Sequence, residues 1–360
     1  MATAKGILEI HAKGFGLLRN ADDNFKPSSD DAYLSPGLIS KLRLKTGLEI
    51  VAETEEQSDA KKLAPVSKII TINGESVDFY FKIKKLRDYV VIDPEEQLIF
   101  KQNNKDAIGS LIDGLTPIGK GQRALIVAPP KAGKTIILKH IANSVVKNHP
   151  EVTPIILLID ERPEEVTDFQ RTVDCQVYHS NVDQPVENHV RMIELVLGRA
   201  MHLAEYGKDV VLFVDSLTRM GRAYNNYIEG TGKTLSGGLD SRAMEFPRRF
   251  FGSARNLEEW GSLGIVATIL IETGSLMDQV IFQEFKGTGN MELVLSRELA
   301  ERRIFPAIDL NQSGTRKEEK LLSPEALQKS YIARKAIHDM SLSESIQFVY
   351  AQFVNERTTV

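Results

Sequence analysis

The chain has 360 residues, 42% of them hydrophobic, so it can bury at least one large core and is long enough for two domains. Lys and Arg number 45 against 49 Asp and Glu, a formal net charge of −4, which excludes a whole-chain basic field and leaves nucleic-acid contact to local patches. Cys175 is the sole cysteine, which excludes an internal disulfide and a cysteine-built zinc site, and no apolar run approaches the ~20 residues of a membrane helix.

The opening "MATAKGILEI" lacks the apolar run of a signal peptide, and with the lone cysteine it predicts a cytoplasmic protein with no membrane partner. Residues 6 to about 88 hold short β-branched or aromatic runs, "GILEI", "GFGLLR", "EIVAE", "SKIITI" and "VDFYFKIKKL", separated by turn-forming "NADDNFKPSSDD" and "NGES". That spacing predicts a first domain over 1–88, a small barrel of about five strands of OB-fold size. In "GFGLLR", Phe15, Leu17 and Arg19 share a face because alternate side chains of a strand do. Such a strip stacks unpaired bases while the arginine meets phosphate, although Leu17 suits a barrel core equally well. Residues 89–110 read as a linker ending in a short helix or extended segment.

From 111 to 360, apolar strands alternate with longer helical segments, the pattern of an α/β domain with a largely parallel sheet. "RALIVAP" is a predicted strand. "KTIILKHIANSVVKNH" carries Ile136, Ile137, His140, Ile141 and Val145 at helical spacing. "PIILLID" and "DVVLFVD" are continuous apolar runs ending in acid, as buried central strands do. Between them, "ENHVRMIELVLGRAMHLAEYG" is an amphipathic helix with Val190, Ile193, Leu197, Ala200 and Leu203 on one side. "GIVATILIET" and "MELVLSR" are further strands.

"VAPPKAGKT" joins the first of these strands to its helix. A P-loop surrounds the β-phosphate with backbone N–H groups while lysine adds charge and the hydroxyl holds Mg²⁺; Gly133, Lys134 and Thr135 fill those places. Ala128 stands where such loops open with glycine, and Pro129 and Pro130 stiffen the approach. Phosphoryl transfer to water also needs a metal-holding acid and a group that orients water. Asp215 ends one strand and is the Mg²⁺ partner of Thr135; Glu161 ends the other and takes the water. Each acid, taken singly, also fits a helix N-cap or a structural ion pair.

Together these residues resemble the bacterial transcription termination factor Rho family, hexameric RNA-dependent ATPases of the RecA-like class. The resemblance runs over nearly the whole chain and is carried by "APPKAGKT", "IDERPEEVT", "VDSLTRMGRAYN", "GTGKTLSGGLD", "FKGTGNMEL" and "FPAIDLNQSGTRKEE". Ala128 belongs to the family's form of the loop. The fold implied is a RecA-like P-loop domain preceded by an OB-fold or cold-shock-like RNA-binding barrel.

Residue by residue, the resemblance implies a nucleotide cradle from Pro130 through Lys131, Ala132, Gly133, Lys134 and Thr135 to Ile136. Glu161 matches the catalytic glutamate, Asp215 the metal-linked aspartate, and Phe305 a residue packed on adenine. Arg316 matches an arginine inserted by a neighbouring subunit; Arg162, Arg219, Lys286 and Arg303 match charged residues around that interface. Phe15, Leu17 and Arg19, with Asp31, Tyr33, Asp78 and Tyr80, match a strip for single-stranded pyrimidine-rich RNA. Lys233, Thr234 and Ser236 match one loop of the ring's central hole, and Thr273, Gly274 and Ser275 the other. Leu276 departs from that second loop, where the family carries lysine, and a leucine cannot pair with phosphate. The family also carries a basic helical segment ahead of the barrel, whereas "AKGILEI" opens almost directly on the first strand.

The activity implied is ATP-driven 5'-to-3' translocation on C-rich nascent RNA by a homohexamer that dislodges transcription complexes, with RNA polymerase and elongation factors as partners. A rotary ATP synthase subunit shares "PIGKGQR" and "GKT" but lacks "FKGTGNMEL" and a stacking strip. A non-catalytic RNA-binding ring that modulates a full-length relative is the other alternative. The 7 histidines show no metal-ligand spacing, so ATP with Mg²⁺ is the only cofactor expected.

Overall fold

The structure is a computed structural model that describes residues 2–55, 63–228 and 236–354. Strands β1 (Ala2–Ile10), β2 (Gly16–Arg19), β3 (Ala32–Leu34), β4 (Glu49–Thr54), β5 (Val66–Ile72) and β6 (Glu75–Ser76) form one antiparallel sheet. Its order is β3-β2-β1-β4-β5-β6, and helix α1 (Pro36–Leu42) follows β3. The sheet curls toward a barrel where the Tyr33 N–H donates to the Ala64 carbonyl at 2.9 Å, just ahead of β5. Alternation along the strands drives the curl, because Leu8, Leu18, Leu34, Ile50, Ala52 and Ile72 all enter one core.

"VDFYFKIKKL" is not the predicted strand. It forms helix α2 (Val77–Lys82) and then a 3₁₀ turn at Leu86–Asp88. The Ser76 hydroxyl accepts from the Phe79 N–H at 3.2 Å and Asp78 lies in the first turn, so a cap and a favourable dipole outweigh the alternating aromatics.

The stretch expected as a linker is tied into the second domain. β7 (Val91–Ile92) pairs with a later strand, β8 (Gln97–Leu98) precedes helix α3 (Ala107–Leu115), and β9 (Ile118–Gly119) pairs with β8. Leu98 and Phe100 are fully buried, and the Asp113 carboxylate accepts from the Phe100 and Lys101 N–H groups at 2.8 and 2.9 Å. Those anchors were invisible in a polar, repeat-free sequence.

The second domain continues with β10 (Arg123–Ala128), α4 (Lys134–Asn148), β11 (Val152–Glu161), α5 (Pro163–Thr172), β12 (Gln176–Asn181) and α6 (Val186–Glu205). Next come β13 (Asp209–Asp215), α7 (Leu217–Tyr227), α8 (Glu245–Phe251), β14 (Arg255–Leu257), β15 (Ser262–Leu270), α9 (Leu276–Phe285) and β16 (Met291–Val294). It closes with α10 (Arg297–Glu301), β17 (Gly314–Thr315), α11 (Pro324–Ile337) and α12 (Leu342–Phe353). The main sheet runs β12-β11-β13-β15-β10-β16-β17, parallel except for β17, while β14 pairs antiparallel with β15 and β7.

Ala124, Ile126 and Ala128 of β10 pack toward α3, α4, α5, α11 and α12; Leu125 and Val127 pack toward α6 to α9. A strand covered on both faces has no polar face, which is why these runs read as continuously apolar. In α4, Ile137, Ile141 and Val145 are buried as predicted, but Ile136 is 62% exposed because it opens onto the phosphate loop.

The two domains are joined closely. Gly47 has φ +95°, and a Cβ there would lie 2.4 Å from the backbone of Gly198 and Arg199 on α6, so only glycine allows this approach. Phe25 stacks on Tyr178 with centroids 4.5 Å apart, and Arg191 grips the Glu9 carboxylate through Nε and Nη2. Among the described residues no helix is long and apolar enough to cross a membrane.

Candidate nucleotide and RNA sites

The parallel sheet delivers the C-terminal ends of β10, β11 and β13 to one edge, where parallel α/β sheets place their ligands. There the loop from Pro129 to Gly133 turns into α4, with Lys131 at φ 66° and Gly133, the residue before the helix, at φ 91°. A cavity of about 380 Å³ opens between this loop and Glu161, Glu165, Arg219 and Leu270. Pro130, Thr135 and Ile136 also line it, whereas Ala132 is buried beneath the turn.

Glu161 and Asp215 are 2% and 1% exposed. Asp215 accepts from the Lys134 ammonium and, through Oδ1, from the Thr268 hydroxyl at 2.9 Å, while its Oδ2 is buried without a hydrogen-bond partner. Such an orphaned carboxylate oxygen, on an acid paired with the P-loop lysine, fits a divalent cation carried in with the nucleotide.

Glu161 is aimed by a bulge. The register of β11 against β12 shifts between Leu158 and Glu161, and Asp160 takes φ 54°. Arg219 holds the bulge by donating to the Asp160 carbonyl and pairing with Glu161 at 3.1 Å. Behind it the Asp160 N–H donates to the Ser180 hydroxyl at 3.2 Å, which also bonds His189 Nδ1 at 2.8 Å. Burial first, and then the Asp215 charge, push Glu161 up to about 7 against the pull of Arg219 and Lys134. A carboxylate so placed is poised as a base near neutrality.

Sequence reading missed Thr268, Glu165, Ser180 and His189. Thr268 had one faint signal, a hydroxyl inside an otherwise apolar run; Glu165 and His189 are ordinary helix residues and Ser180 an ordinary strand residue until the fold assembles them.

Phe305 is 52% exposed on the same edge: Leu295 donates to the Val127 carbonyl at 2.8 Å and Ser296 to Ala307 at 2.8 Å, which carries the Phe305 loop beside the end of β10. Arg303, at φ 60°, shares that loop and is exposed, and Arg162 is an exposed residue at the start of α5. Neither lines the cavity.

Arg316 is elsewhere. Its N–H donates to the Asn290 carbonyl at 2.8 Å, and Asn290 Oδ1 accepts from the Arg123 N–H at 2.8 Å, which places it at the N-terminal end of β10. Lys286 lies at that end too, one residue before Gly287, where a Cβ would come within 3.9 Å of the Arg316 guanidinium. The six residues of β10, roughly 17–20 Å, separate both cations from the phosphate loop of their own chain.

In the barrel domain, the Phe15 ring stacks between His11, at 4.7 Å, and Tyr33, at 5.7 Å. Leu17 is half-buried beside them; its neighbour Leu18 fills the core. His11 was not singled out from sequence. Arg19 is 8% exposed and pairs with Glu9 and Asp31, each at 2.5 Å, and Asp31 is 4% exposed, so the arginine expected to meet phosphate is engaged within the sheet. Asp78 and Tyr80 ride on α2 and not on a strand, and the Tyr80 hydroxyl donates to the Arg43 carbonyl at 2.8 Å.

Replacing Arg19 with methionine would leave the buried Asp31 carboxylate without a cationic partner, while Glu9 keeps Arg191, and should cost about 3–5 kcal/mol of stability. Urea unfolding checks this, and an unchanged midpoint would return Arg19 to the role of a free phosphate contact.

Of the two ring loops, Lys233 and Thr234 lie outside the described residues. Ser236 begins a 3₁₀ turn that packs on α9, where a Cβ on Gly237 would lie 2.5 Å from the Met277 nitrogen. Thr273, Gly274 and Ser275 lead into α9: the Ser275 hydroxyl accepts from the Asp278 N–H at 3.3 Å, and Thr273 donates to Asp278 at 2.7 Å. The Ser236–Gly238 turn and the Thr273–Ser275 segment therefore lie side by side at the start of α9, with Leu276 63% exposed.

Residues 4–78 match the profile of the Rho termination factor RNA-binding domain, and residues 109–315 match the ATP synthase alpha/beta family nucleotide-binding domain. The transcription termination factor Rho of Pseudomonas aeruginosa is 47% identical over 98% of this chain and 85% of its own length. That of Escherichia coli is 45% identical over the same shares. Among solved structures, a prototypical type III secretion system ATPase of pathogenic bacteria superposes with a TM-score of 0.61 at 22% identity, covering 74% of this chain and 81% of its own. The ATP synthase subunit NeqB of Nanoarcheaum equitans gives 0.59 at 18% identity, covering 74% and 72%. These distant structures share the fold of the nucleotide-binding domain. The RNA-binding barrel and the identity along nearly the full length set this ATPase apart from the rotary subunits, and the chain belongs to the transcription termination factor Rho family.

Proposed function

We propose that this protein is an RNA-dependent ATPase and 5'-to-3' translocase that works as a homohexameric ring and terminates transcription by pulling nascent RNA from RNA polymerase. The carrying observation is a split site. Lys134 and Glu161 line one cavity, with Asp215 buried behind it and paired with Lys134, while Arg316 sits at the opposite end of the same sheet. A cation that cannot reach its own phosphate site is available to a neighbour's, and a closed ring of identical subunits satisfies every site in this way.

In this reading Lys134 and the loop N–H groups hold the β- and γ-phosphates, and Phe305 supports the adenine. Thr135 and Asp215 hold Mg²⁺, which would neutralise phosphate charge. Glu161 accepts a proton from the attacking water, with Arg219 fixing its carboxylate and Arg316 of the next subunit meeting the charge that develops on the phosphoryl group. Phe15 and Tyr33, backed by His11, stack bases of single-stranded RNA; the surface formed by Ser236 and Thr273–Ser275 meets the strand inside the ring. The stacked aromatics give little base discrimination by themselves, so preference for cytosine rests on the family relationship.

Steady-state ATP hydrolysis with no RNA, with poly(C) and with poly(A) tests the proposal. Strong poly(C) stimulation is expected. Hydrolysis indifferent to RNA would sink the coupling, and tight RNA binding without hydrolysis would favour the non-catalytic ring. In the same assay Leu276→Lys should raise RNA-stimulated turnover, because it adds a cation to the surface that meets the strand.

A further inference from the structure

A second cavity, about 790 Å³ against 380 Å³ at the phosphate loop, lies where α1 and α2 of the barrel domain face the C-terminal half of α6. Arg43, Lys45, Lys84 and Lys85 line it, and none is paired with a carboxylate among the described residues. Tyr80, Phe81 and Tyr206 supply aromatic wall, and Phe81 is 53% exposed. The Tyr206 hydroxyl is buried with no hydrogen-bond partner, a state that costs free energy until an acceptor arrives.

One acid, Glu205, reaches the floor. It is already engaged, accepting from the Leu86 N–H at 2.8 Å and pairing with His202 Nδ1 at 2.7 Å. A cleft with cations that have no carboxylate partner, aromatic rings and no unengaged carboxylate suits a phosphate-bearing ligand with a flat base: rings stack on the base and cations meet the phosphates. Its volume lies in the range of sites for one small molecule.

We propose that this cleft is a second nucleotide site, which takes a free nucleoside polyphosphate between the barrel and the ATPase domain. A ligand there touches both domains, so its binding stabilises their apposition and links nucleotide supply to how the barrel presents RNA.

Equilibrium dialysis of labelled ADP and, separately, GDP against the assembled full chain tests this. Two classes of site per chain are expected for at least one of the two nucleotides. The double substitution Lys84→Glu with Lys85→Glu should weaken one class at least ~10-fold by reversing the charge it meets, and leave the phosphate-loop class unchanged. Phe81→Ala, which keeps every charge, should weaken the same class, so a folding defect in the double variant does not decide the outcome. A single class for both nucleotides, or a second class indifferent to these substitutions, overturns the proposal. Complete displacement of the second class by a short oligocytidine also overturns it, since the occupant would then be a unit of the RNA strand.

Discussion

Replacing Glu161 with glutamine is expected to slow ATP hydrolysis ~10²- to 10⁴-fold, the usual worth of a positioned general base, while leaving nucleotide binding intact. Glutamine keeps the size of the side chain and an acceptor for Arg219, so the loss falls on proton acceptance. A pH profile separates this from a structural defect. Burial and the Asp215 charge raise Glu161 to about 7, so turnover of the wild type should fall as pH drops below 7, by up to about tenfold per unit; the glutamine variant should lose that limb.

Stability moves with the opposite sign. Because the folded-state value lies above the ordinary 4.5, the folded protein retains a proton that the unfolded chain has released between 4.5 and about 7. An ionised Glu161 therefore costs stability above that window, and the cost disappears as pH falls toward 4.5. Thermal unfolding should show Glu161→Gln more stable than the wild type at pH 8, with the difference shrinking toward pH 5. A variant with normal turnover, or a wild-type profile flat through neutrality, would remove Glu161 from the chemistry.

The second large effect is expected at Arg316. Arg316→Ala should cost ~10³- to 10⁵-fold in turnover, the range for an arginine supplied in trans to phosphoryl transfer. The geometry makes a sharper statement than the magnitude. Because β10 separates Arg316 from the phosphate loop of its own chain, Arg316→Ala and Lys134→Ala damage different sites in a mixed ring. Each homogeneous variant should be inactive. Co-assembled in equal amounts, they should regain activity, since an interface with Lys134 from one subunit and Arg316 from its neighbour is whole at up to about a quarter of positions in a randomly assembled ring. A mixture as dead as its components would show that Arg316 acts within its own chain or not at all.

Much of this site was legible before any fold. "APPKAGKT" between an apolar strand and an apolar helix specifies a phosphate loop by local chemistry, because backbone N–H groups and one lysine within eight residues do the binding. Glu161 and Asp215 were readable for a related reason: each ends a continuous apolar run, and a strand buried on both faces can carry an acid only at its end. The barrel strip was half legible. Period-two alternation put Phe15, Leu17 and Arg19 on one face, but no local rule distinguishes an arginine waiting for phosphate from one already paired with Glu9 and Asp31, residues ten before it and twelve after it. Asp78 and Tyr80 failed at the level of secondary structure, where Ser76 as a cap outweighed the strand-like pattern of "VDFYF".

The sequence by itself determined a P-loop α/β domain behind a small antiparallel RNA-binding domain, and which residues form the loop between β10 and α4, because those properties depend on neighbours within a few positions. Only the tertiary structure decided that Thr268 and Arg219 brace the two acids, that Arg19 serves the fold, and that Arg316 stands too far away to serve its own subunit. It alone set the cations that follow α1 and α2 beside Tyr80, Phe81 and Tyr206 in one cleft. Each of these depends on distances between residues remote in the chain, fixed by sheet order and domain packing, which no local pattern encodes.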